Sequence, residues 1–369
     1  MPVPDRADVI LIGGGVMGCA SALALAGDGL RVLVLERSVP GAEASSAAAG
    51  ILGAQSEAHE AGPFFDLARQ SRASYPKWVG RLSEATGIDV GYRRCGVLQV
   101  SFDDEGQRKL AADIAWQIDA GLEVEQLDAA GVARLEPSVS AMASFGVHFA
   151  EDGRVDPPLL LKALHIAAAA AGARFQTGTY VRSVDVVGGT VQGVLLEDGT
   201  RVSSPCVVLA AGSWSTLVEG TPLDATAVRP ARGQIVELEV REPVLRRVVV
   251  GPACYLVPRD DGRVLVGSTL EFVGYRREVT ALAVRNLLSA AIEIVPSLAD
   301  ASLSRAWSNF RPYTSRGTPL IGPTRIPGLI LATGHHRNGI LLAPITAEIV
   351  RALVIGAKPP IDLTAFSSS

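Results

Sequence analysis

Residues 310–322 read FRPYTSRGTPLIG and place two arginines, Arg311 and Arg316, five positions apart beside a proline and a turn. Such an arginine is either a solvated loop charge or a guanidinium held for an anion, and its planar fork binds a carboxylate bidentately. A second constellation lies near the start of the chain, where Gly13-Gly14-Gly15-Val16-Met17-Gly18 fits G-x-G-x-x-G. There Gly13 allows a tight turn, Gly15 lets the backbone approach a pyrophosphate, and Gly18 allows close helix–strand packing. The helix that follows offers free N–H groups and a positive dipole end. Glu36 stands 18 residues beyond Gly18, where a carboxylate accepts hydrogen bonds from a ribose diol. The five histidines form no HExxH or triad pattern. His335 and His336 are adjacent, project in different directions and have no partner ligands nearby, so no metal site is expected.

These residues need elements to position them. Residues 8–12 form a short apolar run ending in three glycines, a buried parallel strand by pattern. A small-residue helix over 16–28 and a second apolar strand over 31–35 complete a βαβ unit. Two more junctions of this kind follow. VVLAAGSWS (207–215) runs a strand into Ala211, Gly212 and a helix start at Trp214, and LATGHHRNGILLAP (331–344) turns at Gly334 and opens a long helix at Gly339. The first motif alone does not separate NAD from FAD. Three strand–glycine–helix junctions suit a cofactor that spans a whole domain, as FAD does. Further helices are expected over 63–86, 157–171 and about 279–294, with strands at 179–187, 191–196 and 205–210 and an antiparallel run through 226–312.

A chain of 369 residues has room for roughly two domains. Its 48% hydrophobic and 20% charged content argues against disorder. A net charge of −4 leaves no footprint for nucleic acid or an anionic membrane. No run approaches the roughly 20 apolar residues of a membrane span. The opening residues lead straight into a strand without a signal-peptide pattern, and the four cysteines are widely spaced, so a cytoplasmic protein is expected. The patterning reads as two domains interleaved in sequence, a nucleotide-binding one and a β-rich one.

With these motifs in hand, the chain resembles the D-amino-acid-oxidase-type family of FAD-dependent oxidoreductases. Within that family it looks most like the bacterial glycine oxidases, over almost its whole length. ASSAAAGILGAQ (44–55) is similar to the family's flavin-contacting segment and carries Ser45, Ser46, Ala49, Gly50 and Ile51. ACYLVPR, GSTLE, FRPYT…GTPLIG and GHHRNGILLAP match later family motifs in order. The resemblance implies an α/β Rossmann-like FAD-binding domain, mostly parallel sheet with helices, interleaved with a β-rich α+β substrate domain. Residues 1–87, 151–225 and 318–369 would form the first, and 88–150 and 226–317 the second. The implied FAD contacts are Gly13, Gly15, Val16, Met17, Gly18, Glu36 and Arg37, then Ser45, Ser46, Ala49, Gly50 and Ile51. Val181 would offer a backbone contact to the adenine. Ala211, Gly212, Trp214, Gly334, His335, His336, Asn338, Gly339, Ile340 and Leu341 complete the set.

The resemblance also carries over three substrate-positioning residues. Arg311 would pair with the substrate carboxylate, Tyr255 would donate a second hydrogen bond to it, and Arg337 would act near the amino group and flavin, partly through its backbone. No cysteine occurs in 305–345, so the FAD is expected to be noncovalent. The implied reaction is oxidative deamination of glycine, sarcosine or a small D-amino acid. A hydride moves from Cα to flavin N5, water hydrolyses the imine, and oxygen becomes hydrogen peroxide. The cofactor carries the hard chemistry, so no general base is required. A homo-oligomer and a place in thiamine biosynthesis are implied as well. Two positions depart from the family: Arg316 stands where many members are acidic, and His336 where many are aromatic. Both bear on substrate size and the pocket mouth, and Arg316 itself reads as a solvated turn charge. Three other readings share the flavin: a D-amino-acid dehydrogenase feeding a quinone or carrier, a tRNA-modifying flavoprotein, and a catalytically silent flavin-binding subunit. The acidic balance weighs against the tRNA reading.

Overall fold

In the computed structural model, which describes residues 3–367, the strand Val9–Ile12 is buried along its whole length and pairs in parallel on both sides. The outermost ends of the expected FAD-binding segments, residues 1–2 and 368–369, lie outside the described residues. Val32–Leu35 flanks the first strand on one side and Val207–Leu209 on the other. Arg174–Gln176 and Leu329–Thr333 extend the sheet in parallel, and Leu320–Pro323 closes one edge antiparallel, giving six strands.

The three central strands, Val9–Ile12, Val32–Leu35 and Val207–Leu209, are apolar at every position because both faces are covered. Val9, Leu11, Val34 and Val208 face Ala22, Leu25, Ala168 and Val350 of the helices Val16–Ala26, Pro157–Ala170 and Gly339–Val354. Ile10, Ile12, Leu33 and Leu209 face the opposite way, onto Val184, Val194 and Val202 of a three-stranded antiparallel sheet. Each such side chain contributes about 1.5–3 kcal/mol by leaving water. Helix Pro63–Thr86 packs against Gly339–Val354, with the Tyr75 hydroxyl donating to the Ile340 carbonyl at 2.6 Å.

The expected helix after the strand at 207–209 is instead a six-residue 3-10 turn, Gly212–Leu217. Gly212 takes φ +54, which does not propagate an α-helix. The Ser215 hydroxyl bonds back to the Gly212 carbonyl at 2.8 Å, competing with the helical ladder.

The second sheet has eight strands, drawn from residues 97–149 and 229–313. It is antiparallel except where Val248–Val250 runs parallel to Val97–Ser101. Alternation again sorts its faces. Leu256, Val266 and Val236 pack under helix Ala281–Ile294, while Val257, Leu265 and Ile235 turn toward Ala49, Ile51 and Tyr255. The long strands Arg229–Glu239 and Ser302–Tyr313 pair in a register that sets Ala231 opposite Arg311 and Gly233 opposite Asn309.

A buried polar joint ties the second sheet to helix Pro63–Thr86 and to the loop after Leu52. Asp152, fully buried, accepts from the Ser56 N–H at 2.8 Å and from Arg72 at 2.5 Å. Gln99 donates to the Ser56 carbonyl at 2.8 Å. This joint fixes the segment that continues from Gly50 to residue 57. Among the described residues no helix is long and apolar enough to cross a membrane.

Candidate active site

A cavity of about 1620 Å³, including its open mouth, is walled by residues from both sheets. Its wall runs from Gly13 in the glycine turn of the first sheet to Arg311 on the second, so a single space reaches both. Of the residues expected to hold cofactor, the wall contains Gly13, Gly15, Val16, Met17, Glu36, Arg37, Ser45, Ala49, Gly50, Ile51 and Val181. It also contains Ala211, Gly212, Trp214, His335, His336, Gly339 and Ile340, and all three expected substrate residues, Tyr255, Arg311 and Arg337.

Five expected contacts stand off the wall. A side chain at Gly18 would overlap the Gly13 carbonyl, so this glycine seats the helix on the turn instead. Ser46 gives its N–H to the Gly41 carbonyl at 3.1 Å. Gly334 turns at φ +75 against Thr314. Asn338 belongs to a small adjoining pocket with Phe64 and Phe65, which shares Glu57 with the main cavity. Leu341 is buried in the core, where its carbonyl accepts from Ser71 at 2.6 Å. Arg316 is also off the wall. It is an exposed turn residue, as expected, and its guanidinium also donates to the backbone carbonyls of Ser367 at 2.6 Å and Ala365 at 3.2 Å.

The cavity has two polar clusters. In the first, Gly13 takes φ +104 and passes so close to the next strand that a Cβ would sit 2.6 Å from the Ala210 carbonyl. Glu36 is buried and accepts from the Gly14 N–H at 2.7 Å and the Ser38 N–H at 2.9 Å. The Val16 N–H donates to Ser45 Oγ at 2.9 Å. Arg37 lies 3.8 Å from the centre of the Trp214 ring and pairs with Glu43 at 2.5 Å. Glu43 also holds Arg277 from the second sheet's side at 2.6 Å. A glycine turn, a helix start and a buried acid together fit a dinucleotide, with donors for phosphate and an acceptor for a ribose, while the Trp214 indole beside them is stacked with Tyr275 and covered by Arg37.

The second cluster holds Arg311, Arg337, Tyr255, His336 and Glu57. Arg311 Nη1 donates to the Thr269 carbonyl at 3.1 Å and Nη2 to the Ser268 hydroxyl, so two of its five donors are fixed. Its guanidinium rests on Gly233, where any side chain would overlap it, and Tyr255 rests in the same way on Gly267. Among the described residues the Tyr255 hydroxyl has no protein hydrogen-bond partner, which leaves it free to donate to a ligand.

Electrostatics keeps this cluster anion-seeking and poor in proton-transfer groups. Burial pushes the His335 imidazole down to about 3, and its Nε2 shares a hydrogen bond with the Thr346 hydroxyl at 3.1 Å. Burial, then the charges of Arg311 and Arg337, pushes His336 down to about 4. His336 sits at φ +49, edge-on to Tyr313 with ring centres 5.2 Å apart. Both rings are therefore neutral near pH 7. The Glu57 carboxyl is raised by burial and by Asp152, against the pull of Arg337, whose Nε lies 3.2 Å from Glu57 Oε2.

Glu57, Ser268 and Gly233 are three of the wall residues that sequence reasoning missed. Glu57 follows the flavin-contacting segment by only two residues, and that proximity was the available signal. Gly233 declares itself only through the strand register.

Residues 8–353 match the family model described as DAO, FAD dependent oxidoreductase. The glycine oxidase of Geobacillus kaustophilus is 36% identical over 98% of this chain and 96% of its own length. Its crystal structure superposes with a TM-score of 0.94, covering 99% of both chains. A bifunctional ThiO/ThiG protein of Synechocystis is 37% identical over 98% of this chain, which spans only 53% of that relative. The iminodiacetate oxidase of Chelativorans, 27% identical, superposes at a TM-score of 0.88 over 97% of this chain and 98% of that one. The parallel sheet with its glycine turn and the mixed sheet with its arginine are thus the two halves of a known architecture, and the chain belongs to the DAO family of FAD-dependent oxidoreductases, as an enzyme of glycine oxidase type.

Proposed function

We propose that the enzyme oxidises a small amino acid or amine, with glycine, sarcosine and small D-amino acids as the substrate class, and passes the electrons to oxygen as peroxide. The observation that carries this reading is the convergence of Arg311, Tyr255 and Arg337 on the cavity that also contains Gly13, Gly15 and Glu36. When bound, FAD supplies the acceptor for the hydride leaving Cα. The protein's part is to hold the substrate. Arg311, braced by Ser268 and Thr269, binds the carboxylate with its remaining donors. Tyr255 adds a second hydrogen bond to the same carboxylate. His335 and His336, held neutral with lowered basicity, add no charge beside the substrate, and Ile51, Ile235 and Ile340 give the cavity its apolar wall.

FAD is held noncovalently in this reading, supported by the lack of cysteine among the residues lining the cavity. Segments 1–87, 151–225 and 318–369 serve as the FAD-binding unit, and 88–150 and 226–317 as the substrate unit. The sources of the two sheets' strands support that division. The relatives in which such a region is joined to ThiG support a supply role in thiamine biosynthesis.

An anaerobic flavin-bleaching screen across glycine, sarcosine, D-alanine, D-proline and larger D-amino acids tests the proposal. Bleaching by a small member, followed by stoichiometric peroxide on admitting air, is expected. Bleaching with no peroxide would instead indicate a dehydrogenase.

A further inference from the structure

Glu57 is a carboxylate on the cavity wall that the reading above leaves without a task. Glu36 is engaged by the Gly14 and Ser38 amides, and Glu43 by Arg37 and Arg277. Glu57 differs from both. Its Oε2 is sealed from solvent and lies 3.2 Å from Arg337 Nε, yet the pair is not aligned as a hydrogen bond. Its Oε1 accepts no hydrogen bond from the described protein, and the side chain keeps 20% of its surface open. Arg337, Arg311, Asp152 and His59 are the charged and titratable groups that act on it. A buried carboxylate with unfilled acceptor positions is costly, and the cost is recovered when a ligand donates to it.

The second cluster therefore has two guanidiniums and one carboxylate around one space. An amino acid carries the complementary pair, a carboxylate and an amine. With the carboxylate on Arg311, the amine is the group left to find an acceptor.

We propose that Glu57 receives the amino group of the substrate, with Oε1 accepting an N–H from it while Oε2 remains on Arg337. The proposal rests on the amino-acid-oxidation reading and adds the residue that distinguishes an amino acid from a plain carboxylate. The segment carrying Glu57 is suited to the task because the Ser56 amide is anchored on Asp152, itself paired with Arg72. The carboxylate is therefore presented from a fixed backbone.

The test compares two ligands of nearly equal size in the holoenzyme, glycine and propionate, in wild type and Glu57→Gln. The glycine constant comes from the saturation of anaerobic flavin reduction, and the propionate constant from perturbation of the flavin absorbance. Glu57→Gln is expected to weaken glycine roughly 10- to 100-fold, the scale of one charge-assisted hydrogen bond. Propionate, which has a methyl group where glycine has its amine and so no donor there, is expected to bind equally or more tightly because a nearby negative charge is gone. Glu57→Asp, which keeps the charge, should retain part of the preference for glycine and serves if the Gln variant fails to fold. Parallel weakening of both ligands, or no change in either, would overturn the proposal while leaving the oxidase reading intact. A wild-type flavin that no amino acid reduces would remove the oxidase reading itself, and this assignment with it.

Discussion

The Arg311 guanidinium rests directly on the backbone of Gly233, so that any side chain at 233 would overlap Nη1, Nη2 and Cζ together. The two residues lie on paired strands, in a register that places Arg311 opposite Ala231 and Asn309 opposite Gly233. An arginine that must bind a ligand bidentately needs its plane fixed. Here a missing Cβ below it and the Ser268 and Thr269 acceptors beside it do this. Gly233→Ala should therefore act as an affinity mutation. Alanine is no worse than glycine in a strand, so thermal stability should stay close to wild type. KM for the amino acid should rise roughly tenfold or more, the cost of about 1–3 kcal/mol for a misplaced charged partner. Measuring KM alongside Tm separates this outcome from general damage.

Gly267 plays the equivalent part for Tyr255, whose ring and hydroxyl occupy the space a Cβ would need. Tyr255→Phe keeps the ring on that bed and removes only the hydroxyl. It should weaken the amino acid by about 0.5–1.5 kcal/mol, as for a typical single hydrogen bond, with flavin content unchanged. Steady-state KM and the flavin-to-protein absorbance ratio check both halves of this expectation.

At the other cluster, Glu36 is held by the Gly14 and Ser38 amides rather than left in solvent. Glu36→Ala removes the acceptor from both amides and from a ribose at the same time. Affinity of the apoprotein for FAD should fall by roughly 2–4 kcal/mol, about two lost charge-assisted bonds at the low end of their range. Enzyme saturated with FAD should keep its affinity for the amino acid. Titration of apoprotein with FAD, followed by an activity assay in excess cofactor, distinguishes the two effects.

The buried histidine at 335 makes stability depend on pH in a defined direction. Its folded value of about 3 lies below the 6.5 of an ordinary imidazole, so the unfolded chain binds the extra proton. The stabilisation is complete above pH 6.5 and is lost as the pH falls through the window toward about 3. Between about pH 7 and pH 5 the loss should reach about 2 kcal/mol from this residue. His336, shifted to about 4 and partly open to the cavity, adds a smaller loss of the same sign. His335→Gln should flatten the slope, read as urea midpoints at the two pH values. No histidine titration should appear in kcat/KM between them.

The nucleotide cluster was legible in the sequence because its parts are local. Gly13, Gly15 and Gly18 are fixed by one strand–turn–helix, and Glu36 by the next strand. What sequence could not resolve is which way side chains turn at a junction. Asn338 and Leu341 flank wall residues Gly339 and Ile340, yet one reaches the small adjoining pocket and the other the core. Arg311 was identifiable from a family motif, but its support was not, since Gly233 and Ser268 become neighbours only through strand pairing. Glu57 read as one polar residue in QSEAHE, and its partner Arg337 is 280 positions away. Arg316 is the exposed turn charge its sequence suggested, but its acceptors are backbone carbonyls, which carry no sequence signature.

The central claim is that Arg311 holds the substrate by its carboxylate. Anaerobic flavin reduction of the Arg311→Ala holoenzyme, titrated with glycine or whichever small amino acid bleaches the wild type, tests it most directly. The dissociation constant should rise by the equivalent of roughly 2–5 kcal/mol while FAD content stays near wild type. An Arg311→Ala enzyme that saturates at the wild-type amino-acid concentration would contradict the account.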